Sequence, residues 1–441
     1  MPRYRPRVQS VRQRSDSLGA VQAPTKPKAA FTKPIQLQVL GLGSSSLRAS
    51  FANCLMSVLG VGQLTLAYAM KEMGVVVGVV SLALFGVLSI YSLAVLAVHT
   101  KRVRSTSYPD LIQKVLGTKA RFMFECAMVI QTWGVGVGFL IFLKEQLHIL
   151  FRRWSGGAWK LEGAVYMISV TAACIFPLSL LRKFDRLKFS STLGCVAALW
   201  ITLVVVVVAP WADGGLDTCA LASPESHVKP APESAIGYFR AMSLLPFALN
   251  MSWFFPNCMA NMRDRTPLRV TGLILGSTSI VLMNYTTIAV IGYLSYCGTI
   301  TPNVMDSLQN VEGWRQVLVQ VARVALVAQL MFSLPIRFNA TRDVVNTHLP
   351  ALVPHMWYHV LVTTVIVGSA VGVASTNLGI TVVLGITSSV AASSTIYTFP
   401  ASLEIANRHH VPTWRILFAS MVCFVGLIVL VAGLYSNIVN T

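Results

Sequence analysis

The chain has 441 residues, 54% hydrophobic and only 12% charged, with a mean hydropathy of +0.65. A soluble globular chain carries about 25% charged residues, so an ordinary water-soluble domain is excluded as the main body. The formal net charge of +19 first suggests nucleic acid. Most of the 35 Lys and Arg, however, lie in short stretches between apolar runs, as positive-inside orientation requires. No soluble basic domain is left to hold a nucleic acid.

Residues 1–47 are rich in Arg, Lys, Pro, Gln and Ser and have no apolar periodicity. Such a composition cannot bury enough surface to fold alone. No apolar run follows the first basic residues, so this is not a cleaved signal peptide. The stretch is expected to be a cytosolic tail, available to anionic lipid at about 1 kcal/mol per near-surface charge. Residues 48–435 form the membrane domain and 436–441 a short external tail.

The membrane domain reads as eleven hydrophobic spans: 49–70, 74–98, 121–147, 161–181, 189–210, 237–258, 269–296, 315–336, 352–374, 378–401 and 413–435. Each is near the roughly 20 residues a spanning helix needs. Inside a bilayer each segment must satisfy its own backbone polar groups, so the spans are helices and the fold class is all-α and polytopic. With a cytosolic tail, the cytosolic loops begin near Lys101, Arg182, Arg263, Arg337 and Arg408. An odd number of spans places the C-terminus outside.

Eight cysteines are scattered without a CxxC pair, mostly in apolar runs, where Cys behaves as a small packing residue. Cys219 and Cys297 fall in expected external loops, and a disulfide between them is left open. The sequons at Asn250, Asn284 and Asn339 fall in spans or a cytosolic loop, so none is an expected glycan site. His355 and His359 have metal-binding i, i+4 spacing, but they flank span nine beside Trp357 and Tyr358, as in an interfacial belt.

Two spans carry irregularities. Span one contains Gly60-Val61-Gly62-Gln63-Leu64, and glycine costs a helix interior about 1 kcal/mol relative to alanine. These glycines fit either a broken helix that exposes amides to a carboxylate or close packing between helices. Span six contains Pro246 and Pro256 around Ala248, Leu249, Asn250 and Ser252. Each proline removes a backbone donor and clashes with the preceding turn, so this span is expected to break as well. Interruptions at corresponding positions of two halves are the best pointer to a transport site.

At residue level the stretch 53–78, NCLMSVLGVGQLTLAYAMKEMGVVVG, resembles the first span and turn of the amino acid/auxin permease family. Ser107-Tyr108-Pro109-Asp110-Leu111 resembles that family's loop after span two. Arg263-Asp264-Arg265-Thr266-Pro267 resembles its loop after span six, and Leu334-Pro335-Ile336-Arg337 the end of its span eight. The resemblance covers about residues 47–435 and implies a LeuT-like fold, with spans one to five and six to ten as inverted repeats. It implies that a substrate carboxylate meets amides around Gly60, Val61, Gly62, Gln63 and Leu64, and its ammonium meets carbonyls around Ala248, Leu249 and Asn250, near Ser252. It also implies a wall on span three through Trp133, Gly134 and Gly138.

One position departs from the family. Its sodium-coupled members carry Asn four residues before the first Gly of span one, where this chain has Met56. A thioether is a poor ligand for a hard cation, so proton-coupled or uncoupled transport is expected. Charges inside spans are costly and usually functional. Arg323, at mid-span eight, is the candidate gate or pathway residue, whereas Arg240, Glu125 and Glu145 lie nearer the span ends.

The reading is a secondary amino acid transporter, a permease of the plasma membrane or of a vacuolar or lysosomal-type membrane. Its partners are the amino acid, a proton as candidate co-substrate, and the bilayer. An amino acid sensor with little flux is the rival class. No phosphate loop, nucleophile motif or paired-carboxylate site supports an enzyme or a cofactor.

Overall fold

The computed structural model describes residues 45–156, 161–181, 188–211, 228–309, 311–349, 355–376 and 378–439. Among these the regular structure is helical, apart from an isolated bridge between Ser45 and Met262. Most of the expected tail, the Arg182–Arg186 charges, Cys219 and the side chain of His355 lie outside the described residues.

Span one is two helices, α1 (Leu47–Val58) and α2 (Val61–Met73), meeting at 43°. Ser46 caps α1 by accepting the Ala49 N–H at 3.2 Å, which satisfies one of the orphan amides of a helix start. The next elements are α3 (Val75–Val103), the amphipathic α4 (Tyr108–Leu116) and the long α5 (Thr118–Trp154). The Ser-Tyr-Pro-Asp sequence proves to be a helix start. Ser107 caps α4, Pro109 occupies its first turn, and the buried Tyr108 donates to the Thr395 carbonyl at 2.8 Å.

Helices α6 (Gly163–Ser179) and α7 (Lys188–Val208) complete the first half. In α6 a wide turn at Thr171–Ile175 precedes Pro177, and such a turn accommodates the missing proline donor. Span six is broken into α8 (Ala235–Met242), α9 (Leu244–Ala248) and α10 (Phe255–Asn261). Pro256 sits at the start of α10, where the absent N–H costs nothing.

The chain continues through α11 (Pro267–Tyr296), α12 (Val304–Ser307), α13 (Trp314–His348), α14 (His355–Ser375), α15 (Ile380–Ala406) and α16 (Thr413–Ile438). Among the described residues, eight helices are long and apolar enough to cross a bilayer. The remaining three expected spans are the broken α1/α2, the short α6 and the broken α8–α10, so each of the eleven has its helical counterpart.

Three boundaries or environments differ from expectation. Span eight runs on to His348, so Arg337 and Asn339 are helical rather than in a cytosolic loop. Its polar end is covered by neighbours: Arg342 donates to the Ser179 carbonyl at 2.7 Å and to Thr363 at 3.0 Å. Glu125 is buried at 3% exposure rather than in headgroup water, held by Arg121 at 2.8 Å and His348 at 2.6 Å. The last helix reaches Ile438, with Ser436 and Asn437 buried. The sequence treats each of these polar groups as facing water; packing supplies partners instead.

Cys297 is disulfide-bonded, while Cys54, Cys126, Cys174, Cys195, Cys258 and Cys423 are free. His359 contacts the Leu180 carbonyl at 3.0 Å, and the described residues contain no cluster of three metal-ligating side chains. The charge bias and span count make a topological prediction. A tag at the C-terminus is expected on the opposite side of the membrane from a tag at the N-terminus. Protease protection of both tags in sealed vesicles checks this.

Candidate functional site

A cavity of about 270 Å³ lies where the two broken spans meet. Span one contributes Asn53, Met56, Ser57, Val58, Leu59, Gly60, Val61 and Gly62. Span six contributes Phe247, Asn250, Trp253 and Phe254. The remaining walls are Met128, Gln131, Thr132, Val135 and Phe139 on α5, Gly194 on α7, and Gln329, Ser333, Ile336, Arg337 and Ala340 on α13.

The first turn of α2 is a 3-10 turn, Val61–Thr65, closed by the Gln63 N–H onto the Gly60 carbonyl at 3.4 Å. The amides of Val61 and Gly62 therefore have no intrahelical acceptor. The freed Val58 carbonyl at the end of α1 accepts from the Tyr285 hydroxyl at 2.7 Å, as a carbonyl at membrane depth must. Gly62 sets the spacing between the two breaks. A Cβ there would lie 3.2 Å from the Ala248 Cα and 3.3 Å from the Phe247 ring. The Asn250 side chain is 6% exposed, and neither its Oδ1 nor its Nδ2 has a hydrogen-bond partner among the described residues.

Gly60, Val61, Gly62 and Asn250 thus line the cavity, and the other expected site residues face elsewhere. Gln63 donates to the Ala198 carbonyl at 2.9 Å and accepts from Asn284 at 2.9 Å, bracing α2 against α7 and α11. Leu64, Ala248, Leu249 and Ser252 are buried behind the lining. Span three supplies a wall, but from another face. Trp133 donates to Ser369 at 3.1 Å, while a Cβ on Gly134 or Gly138 would strike Thr387 or Leu384 of α15. The α5 face that lines the cavity includes Thr132, Val135 and Phe139.

The lining residues of α5 all precede Gln146, and those of α13 all follow Arg323. Earlier along α13, away from the cavity lining, Arg323 is fully buried. Its Nη1 donates to the Gln146 Oε1 at 2.8 Å and lies 3.7 Å from the Asp306 Oδ1, while Nη2 donates to the Met305 carbonyl. Gln146 also donates to Asp306 at 2.8 Å, and Asn303 donates to Glu145 at 3.4 Å. Burial raises the Asp306 carboxyl above its ordinary value; the Gln146 hydrogen bond and the Arg323 charge work against that rise. Nearby, Arg240 and Glu72 join spans six and one at 2.9 Å.

Residues 43–439 match the family described as "Transmembrane amino acid transporter protein". The chain belongs to this family. It is accordingly an integral, multi-pass membrane protein of an amino acid transporter family rather than an enzyme. Vacuolar amino acid transporter 2 of Saccharomyces cerevisiae is 23% identical over 416 residues, covering 88% of this chain and 82% of the relative. Sodium-coupled neutral amino acid symporter 2 of Danio rerio is 24% identical over 340 residues, covering 73% and 67%. Among solved structures, MhsT in complex with L-phenylalanine superposes with a TM-score of 0.59 at 14% identity, over 90% of this chain and 99% of that one. That likeness establishes the LeuT-type fold.

The sequence reading did not single out Arg337, Gln329, Gln131 or Phe139 as cavity residues. A usable signal was present: Gln329 and Arg337 are eight residues apart, and so lie on one face of a helix.

Proposed function

We propose that the protein is a secondary transporter that carries amino acids by alternating access without sodium. The observation that carries this reading is the meeting of two broken helices at Gly62 and Ala248 on one cavity. The amides of Val61 and Gly62 suit the substrate α-carboxylate, since helix N-termini favour anions. The last turn of α9 leaves carbonyls without intrahelical donors, which suits the α-ammonium. Asn250 adds an unpartnered amide at the same place.

The cavity and the buried Arg323 cluster occupy successive stretches of α5 and α13, an arrangement that fits a cycle in which the cluster is shut in one state. In this reading Arg323, Gln146 and Asp306 form the gate that parts in the other state. A nutrient sensor shares the family's cavity but has no need of a second state, so flux separates the two readings. Radiolabelled amino acid uptake by purified protein in liposomes is expected. Binding without uptake overturns the transporter reading.

Sodium is disfavoured by two features of the lining. Met56 offers sulfur where an oxygen is needed. Arg337, the charged side chain among the lining residues, would repel a second cation. Replacing sodium with choline at fixed pH is expected to leave uptake unchanged; abolished uptake refutes sodium independence.

A further inference from the structure

We infer that Arg337 selects substrates with a second carboxylate, so that the cavity takes acidic amino acids in preference to neutral or cationic ones. This rests on the transporter reading and adds the substrate class. Among the described lining residues Arg337 is the one with a formal charge; the lining has no carboxylate. The guanidinium lies over the Phe139 ring at 4.5 Å, and its Nε has no hydrogen-bond partner. A cation–π contact does not neutralise a buried charge, and such a charge needs an opposite one or pays a large desolvation cost.

The contrast with three other helical arginines is informative. Arg323 is paired with Asp306, Arg240 with Glu72, and Arg342 with the Ser179 carbonyl and Thr363. Arg337 instead lines the cavity, as do two polar side chains with unpartnered atoms. The Gln329 Oε1 has no partner and Gln329 is 4% exposed; Asn250 is 6% exposed with both amide atoms unpartnered. Three side chains with unsatisfied atoms lining one cavity mark a place for a polar ligand.

Charge accounting then names the ligand. The broken helices offer partial charges for one carboxylate and one ammonium, which is a zwitterion with no net charge. Arg337 leaves one positive charge over. A side-chain carboxylate, as in glutamate or aspartate, neutralises it and forms the planar paired hydrogen bonds a guanidinium prefers. A cationic side chain would meet like charge and find no carboxylate. A neutral side chain would leave the guanidinium unmatched. An inorganic anion such as chloride is the other chemistry that satisfies a lone guanidinium, with a neutral amino acid then riding beside it.

The test uses the full-length protein in liposomes. Labelled glutamate, aspartate, glutamine, leucine and lysine are presented, with chloride or gluconate as the bulk anion. The expected result is saturable glutamate or aspartate uptake, indifferent to the chloride replacement. Arg337→Gln is expected to raise the KM for the acidic substrate about ten- to hundredfold, the scale of one charge-assisted pair, and to shift preference toward glutamine. Arg337→Lys is expected to recover part of the acidic preference. Preferential uptake of leucine, glutamine or lysine by the native protein overturns the inference while leaving the transporter reading intact. So does a chloride requirement for neutral uptake. Uptake of none of the five, with the protein correctly inserted, counts against the transporter reading itself.

Discussion

Replacing Gly62 with Val is expected to abolish uptake while the protein still reaches its membrane. The added Cβ would meet the Ala248 Cα at 3.2 Å and the Phe247 ring at 3.3 Å. The ring can give way, but the Cα belongs to the backbone of the other broken helix. The valine methyl groups reach further still, so the two breaks must separate. Overpacking of this kind costs about 1–3 kcal/mol, which the large hydrophobic core can absorb. The proposed site cannot, because misplacing the Val61 and Gly62 amides would remove the charge-assisted contact proposed there, worth roughly 1.5–3 kcal/mol, or about ten- to hundredfold in affinity. Uptake rate, substrate affinity and membrane abundance are measured together. Cys423→Ala, in α16 and away from the cavity, serves as the normally transporting control. Unchanged affinity and rate in Gly62→Val would show that the breaks do not form the site.

Arg323→Met is expected to have the second large effect, on stability and on which end of the protein opens. The guanidinium is fully buried and binds Gln146, Asp306 and the Met305 carbonyl, which ties α13 to α5 and α12. Removing one partner of a buried pair costs about 3–5 kcal/mol, because the other charge is left without compensation. Arg323→Met is therefore expected to lower the melting temperature, and adding Asp306→Leu to recover part of the loss. Stability alone does not identify a gate. A cysteine introduced at Ser333, on the cavity wall, reports access from each side through an impermeant maleimide. If the cluster is the gate, its loss increases labelling from the Arg323 side. Reduced stability with unchanged labelling would reduce Arg323 to a packing role.

The membrane class, the all-helical architecture and the break in span six were legible in the chain, for a single reason. A bilayer imposes a local rule, that every segment must be apolar and satisfy its own backbone. Ala248–Ser252 between two prolines violates that rule visibly, whereas Gly60-Val61-Gly62 fits a break or close packing alike; both places are broken in the fold. The Met56 departure could also be read without coordinates, since it concerns the chemistry of one side chain.

What the tertiary structure decided is which way side chains face and what they meet. Gln63 lies within the expected site sequence yet points at Ala198 and Asn284. Trp133 and Thr132 are neighbours in sequence, but one bonds Ser369 and the other lines the cavity, because adjacent helix positions differ by about 100°. Hydropathy assigns Arg337 to a loop and Glu125 to headgroup water, since a charge counts against the bilayer wherever it stands. In the fold α13 carries Arg337 to the cavity, and Arg121 and His348 enclose Glu125. Whether a charge lies in water, in an ion pair or on an open cavity wall depends on residues far away in the chain. Local composition decided that this protein is a bundle of membrane helices broken at span six; the tertiary structure decided that span one breaks as well, and which groups face the space between the two breaks.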